Sequence, residues 1–181
     1  MQIEQNRRAL LVGLAGLVVA QSGVQDEACA QTAGTGGHVL GPDGGEHLVQ
    51  RGGNIFIKAD PTNGSSSLAF GTQQILRGVG IPIHRHFQMD EAFYVIDGSG
   101  TFILNDVRHP IQKGGSIFIP KNTWHGFENP DSELLLLWIV TPAGLEAFFR
   151  EVASPPGVPA TPRTREQLNE IARKYATEFR I

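Results

Sequence analysis

His84 and His86 flank Arg85, and Glu91 follows five positions later, so two imidazoles and a carboxylate stand close together in the chain. Side chains on a strand repeat with a period of two, which puts His84 and His86 on one face of an extended segment. On an unbroken strand Glu91 would lie on the other face, so the stretch from Phe87 to Asp90 must bend or bulge to return the carboxylate to the histidines. A fourth candidate, His125, comes from the second half of the chain. Neutral imidazole and carboxylate together suit Mn, Fe, Ni, Cu or Zn, so this donor set points to one divalent transition metal per chain without choosing it. The expected ligands are His84, His86, Glu91 and His125. His38, His47 and His109 stand alone and read as ordinary core or surface histidines.

The spacing carries a family resemblance. Gly78, His84, His86, Glu91 and Gly98 fit the pattern G-x5-H-x-H-x4-E-x6-G, and Gly114, Pro120, His125 and Asn129 fit G-x5-P-x-G-x2-H-x3-N, with Asn122 in place of the middle glycine. The chain therefore resembles the cupin superfamily, in particular single-domain bacterial cupins grouped with quercetin 2,3-dioxygenases. Asn122 is a mild departure, because Asn is the non-glycine residue that best tolerates a left-handed turn. The resemblance implies an all-β fold, a small antiparallel jelly-roll barrel, with the four named residues on one metal. It also implies a homodimer, and a glutamate at the Glu91 position that both coordinates the metal and takes a proton from a substrate hydroxyl.

The elements that must position these residues can be read from turn chemistry and alternation. Strands are expected at 55–58, 67–76, 84–86, 92–96, 100–104, 116–119, 124–129 and 134–141, with turns at 61–64, 97–100, 105–106 and 129–131. Phe93 and Val95 would share the inward face with Glu91, while Phe102, Phe118 and Trp124 are candidates for an apolar wall. Leu134 to Val140 is apolar at every position, which predicts that both faces are covered, one by the barrel and the other by a second subunit or by the C-terminal helices. Thr141 and Pro142 are expected to open a first helix whose Leu145, Phe148, Phe149 and Val152 form one apolar stripe. Thr164 and Gln167 form a capping-box pattern at the start of a second helix. These helices either cover barrel surface or close the mouth of the metal site.

The N-terminal thirty residues differ in kind. Arg7 and Arg8 precede an apolar run from Ala9 to Ala20, and Ala28, Cys29 and Ala30 give a small-residue cleavage pattern, so residues 1–30 read as a cleavable signal peptide. The run is too short to span a bilayer, which takes roughly 20 residues. The order Asn6-Arg7-Arg8-Ala9-Leu10-Leu11 resembles a twin-arginine export signal, with an ordinary secretory signal as the alternative. The protein is expected to be exported, periplasmic or secreted, and not held at a membrane after cleavage. Export in the folded state would let the internal metal pool select the ion, which favours Mn or Fe over Cu and Zn. Residues 31–53 form a glycine-rich arm with a short strand near His47 to Gln50, residues 54–141 the barrel, and 142–181 a helical extension.

With 181 residues, 40% hydrophobic content and a formal net charge of -3, the chain fits one globular domain. It carries no basic patch with interleaved aromatics, so nucleic acid is not an expected partner. The expected partner is a small molecule. The leading reading is a metal-dependent dioxygenase acting on a flavonol-like or other enolic or aromatic compound, with Glu91 as catalytic base. The alternative is an exported non-redox cupin, an isomerase, epimerase or decarboxylase, or a small-molecule-binding protein.

Overall fold

The computed structural model describes residues 36–129 and 132–180. Residues 1–35, which include the expected signal peptide and cleavage site, lie outside the described residues, as do residues 130 and 131 of the expected turn at 129–131. No helix among the described residues is long and apolar enough to cross a membrane.

Ten strands are described: β1 (Glu46–Gln50), β2 (Gly53–Ala59), β3 (Ala69–Ile75), β4 (Ile81–His86), β5 (Asp90–Leu104), β6 (Val107–Gln112), β7 (Ser116–Ile119), β8 (His125–Glu128), β9 (Leu134–Thr141) and β10 (Thr177–Phe179). Two helices, α1 (Leu145–Val152) and α2 (Arg165–Lys174), lie between β9 and β10. The ladders between these strands are antiparallel. One sheet runs β1-β2-β3-β9-β5-β7 and the other β10-β4-β8-β5-β6, so β5 belongs to both. This is the expected curled, jelly-roll arrangement with two helices.

The shared strand corrects one expectation. Residues 97–100 are not a turn between two strands; β5 runs through them and changes sheets there. Asp90 to Gly98 pair with β9, and Ser99 to Leu104 pair with β6. The ladder with β9 slips between Val95 and Asp97, a bulge that bends the strand. Gly98 sits at the corner with φ 85°, and a Cβ there would lie 1.8 Å from the Glu133 carbonyl oxygen. Only glycine combines that backbone with that approach.

Inside, alternation sorts the strands as a half-buried sheet requires. Leu134, Leu136, Trp138 and Val140 of β9 are buried, whereas the side chains between them are only partly covered, and Ile139 is exposed. Sequence alone makes β9 uniformly apolar; the register turns every second residue outward. Trp138 fits because Gly71 opposite it has no side chain: a Cβ there would come within 2.6 Å of the indole. Three further expectations change. Phe118 points outward and is 63% exposed. Trp124 does not join the apolar wall but stacks with the guanidinium groups of Arg85 and Arg180. Helix α1 begins at Leu145, not at Pro142, because Thr141 stays in the ladder opposite Asp90, and the helix is then opened by Gly144, whose N–H donates to the Glu146 carboxylate.

The C-terminal extension is not purely helical, since β10 returns to pair with β4. Strand β6 is a second element that the sequence does not announce. It is a largely exposed edge strand containing Pro110, which carries no alternating apolar signal and is tolerated only at an edge.

Candidate metal centre

The four sequence-selected residues meet. His84, His86, Glu91 and His125 are all buried, and one ligand atom of each lies within 4.8 Å of the others. The histidines come from one sheet and the carboxylate from the facing sheet. His84 and His125 are paired across β4 and β8, with ring centroids 4.2 Å apart, and His86 follows two residues along β4. Phe87 to Met89 carry the chain across to the other sheet, where Glu91 on β5 faces back inward. The bend expected from the sequence is therefore a crossing between sheets. Asn122 takes the left-handed conformation expected of it, with φ 65°, and its N–H donates to the His86 carbonyl oxygen.

Each imidazole is oriented from behind. His84 Nδ1 lies 2.9 Å from the Pro82 carbonyl oxygen, and His125 Nδ1 lies 2.9 Å from the Thr123 carbonyl oxygen. A carbonyl can only accept, so both Nδ1 atoms carry the hydrogen and both Nε2 atoms present a lone pair. His86 Nδ1 lies 2.8 Å from Thr177 Oγ1, whose own hydrogen goes to the Tyr175 carbonyl oxygen at 3.1 Å. The hydroxyl then accepts from Nδ1, and His86 takes the same tautomer. Such partners behind ligating histidines fix ring orientation and raise basicity.

The result is a concentration of acceptors. Glu91 Oε2 lies 3.0 Å from His125 Nε2 and 3.2 Å from His86 Nε2, and His86 Nε2 is buried with no hydrogen-bond partner. Burial alone would raise the Glu91 carboxyl, but the imidazoles packed against it, His86 first and then His125, outweigh it and hold the group well below the ordinary carboxylate range. Burial, reinforced by His125 and His86, pushes His84 well below the usual imidazole value. An ionised carboxylate facing three lone pairs in a dry site lacks positive charge. A single divalent cation supplies it without protonating crowded rings, and an imidazole and carboxylate donor set suits a transition ion. The residues present fit a metal.

A narrow cleft of about 40 Å³ reaches the centre, lined by His84, His86, Glu91 and Thr177 together with Phe93, Leu145, Phe148, Phe149 and Phe179. Phe179 packs on His84 with centroids 5.3 Å apart, and Phe102 lies 6.1 Å from His125. Phe93 and Val95 share the inward face with Glu91 as expected, and α1 contributes to the cleft wall. Sequence reasoning missed Thr177 and Phe179, because no local pattern links a three-residue strand at the end of the chain to His86 and His84. It also passed over Gln73 and Arg51, which line the same cleft.

Two curled sheets that enclose three histidines and a glutamate define a cupin-type barrel, and the comparisons agree. Residues 71–141 match the cupin domain family. Protein SchB from Streptomyces halstedii is 33% identical over 95 residues, which are 51% of this chain and 69% of that protein. The chain belongs to the cupin family. Among solved structures, an RmlC-like cupin from Shewanella frigidimarina superposes with a TM-score of 0.54 at 18% identity, over 62% of this chain and 96% of that one. A predicted oxalate decarboxylase from Thermotoga maritima gives a TM-score of 0.50 at 20% identity, over 59% and 100%. At these identities the two structures speak for the fold alone.

Proposed function

We propose that this cupin is a metal-dependent dioxygenase acting on a small enolic or catechol-like molecule, flavonols included, with His84, His86, Glu91 and His125 as the metal ligands. The observation that carries the reading is the orphaned, buried His86 Nε2 beside an ionised Glu91 in a cleft walled by aromatic side chains. A redox-active divalent ion in this cradle would supply Lewis acidity toward a pair of substrate oxygens and electron transfer to dioxygen. The protein contributes the rest. Phe93, Phe148, Phe149 and Phe179 suit a flat ring and exclude water from it. Glu91 is placed to receive the proton of a bound hydroxyl. A carboxylate beside a divalent cation would be a weak base, so Glu91 would act once substrate displaced it from the metal or desolvated it.

Two measurements on the same sample test this. Elemental analysis of protein purified without added metal should give one equivalent of Mn, Fe, Ni or Cu, and oxygen uptake should follow addition of a flavonol or another enediol. One equivalent of Zn with no oxygen uptake would move the assignment to a non-redox cupin, an isomerase or decarboxylase. Glu91→Gln should keep the fold and lose most turnover; full turnover by that variant excludes its role as base.

A further inference from the structure

Gln73 is a polar residue where the fold calls for an apolar one. Among the described residues, the inner faces of β2, β3, β9 and the first part of β5 carry Ile, Leu, Val, Ala, Gly, Phe and Trp, with two exceptions, Glu91 and Gln73. Gln73 is 8% exposed, lines the metal cleft, and has no side-chain hydrogen bond to another described residue. Its amide head group is not among the buried unpartnered polar atoms, so it opens onto the cleft, where a ligand can take its hydrogen bonds. It stands four residues along β3 from Ala69, the residue in register with Val140 and, through it, Glu91, which is about 13 Å of strand.

Arg51 lines the same cleft from the β1–β2 hairpin. The two loop residues, Arg51 and Gly52, have φ of 50° and 81°, the geometry of a tight turn whose first position favours Asn, Asp or Gly. A long cation in that slot is disfavoured, and a disfavoured backbone residue beside a cleft invites a functional reading. Arg51 is exposed at the cleft rim, and its guanidinium donates to the Gly80 carbonyl oxygen at 3.1 Å and makes no ion pair among the described residues, which leaves its charge available to a ligand.

We infer that Gln73 and Arg51 form an anion-recognising pole of the cleft, so that the ligand is a small molecule carrying a carboxylate, or an equivalent oxyanion, remote from the oxygens that meet the metal. This rests on the metal-site reading above and adds the charge of the ligand to it.

The test uses Zn-loaded protein, so that no oxygen chemistry consumes the probe, and compares 3,4-dihydroxybenzoate with its methyl ester by calorimetry. Both share the catechol pair, and only one carries the remote charge. The acid should bind about tenfold more tightly than the ester. Arg51→Asn, which suits the turn better than Arg, should retain one equivalent of Zn and an equal or higher melting temperature while losing the acid preference. Gln73→Leu should weaken the acid and retain Zn. Equal binding of acid and ester by the wild-type protein, or an undiminished preference in Arg51→Asn, overturns the inference while the metal site stands. Failure to bind Zn overturns both.

Discussion

Thr177 Oγ1 accepts the Nδ1 hydrogen of His86 at 2.8 Å, so a strand at the very end of the described chain sets the tautomer of a metal-site histidine ninety-one residues earlier. Thr177 is fully buried, and β10 aligns it opposite His86 across the ladder with β4. The barrel and its C-terminal extension are thereby coupled at the metal centre itself.

From this coupling, Thr177→Val should weaken metal affinity by about 10- to 100-fold, measured by competition with a chelator, because the isosteric side chain leaves the Nδ1 hydrogen unpaired and frees the ring. Thr177→Ser should restore most of the affinity. A valine variant with unchanged affinity would show that ring packing alone orients His86.

Alanine at His84, His86 or His125 should each abolish stoichiometric metal binding, since every ring presents its Nε2 lone pair to one point. The apo forms should stay folded, because Trp138, Phe102, Phe127 and the aliphatic core around them are untouched. Retention of a full equivalent by all three variants would overturn the ligand assignment.

The pH dependence of the metal-free protein follows from His84. Its folded-state pKa is lowered well below 6.5 by burial and by His125 and His86. Below pH 6.5 the unfolded chain takes up a proton at this residue that the folded chain refuses, so stability is present above that pH and is lost as pH falls. The slope from one such group is at most about 1.4 kcal/mol per pH unit. Urea midpoints should therefore fall from pH 7.5 to pH 5.5, and His84→Asn should flatten the trend.

The two halves of the metal site differ in how far the sequence reveals them. His84, His86, Glu91 and His125 are legible because their spacing is local to two short segments, each ending in turns that need Gly or Asn. The extents of β3 and β7 are legible for a similar reason, since turn-forming residues bound them. What escapes depends on contacts between distant segments. Thr177 acquires its role only when β10 pairs with β4, and Phe118 and Trp124 take their directions from a register that apolarity alone cannot fix. Asp97-Gly98-Ser99-Gly100 has the composition of a turn, and its glycine does have positive φ, but the sheet exchange in β5 turns that flexibility into a corner.

Two glycines with the same backbone requirement separate conformational strain from collision. Gly114 has φ 86° and nothing within 4 Å of the point where a Cβ would stand, so Gly114→Ala should cost about 1 kcal/mol for the left-handed backbone alone. Gly98 has φ 85°, and its Cβ would stand 1.8 Å from the Glu133 carbonyl oxygen, so Gly98→Ala should cost at least about 2 kcal/mol more as the sheet corner is forced apart. Equal losses in chemical denaturation would mean that the corner relaxes freely.

The outer face of the first sheet bears on assembly. Phe70, Ile139, Ala92 and Phe118 lie in one row across β3, β9, β5 and β7, and Thr72, Leu137, Tyr94 and Ser116 form the next. Phe118 is 63% exposed, Tyr94 47% and Ile139 37%, an apolar concentration that a monomer would leave in water. We propose that two copies of the chain pair through this face. Light scattering at micromolar concentration should give twice the chain mass, and Phe118→Asp should shift it to a monomer while metal content is retained, since its side chain points away from the site. A wild-type protein that stays monomeric under those conditions rules out this pairing.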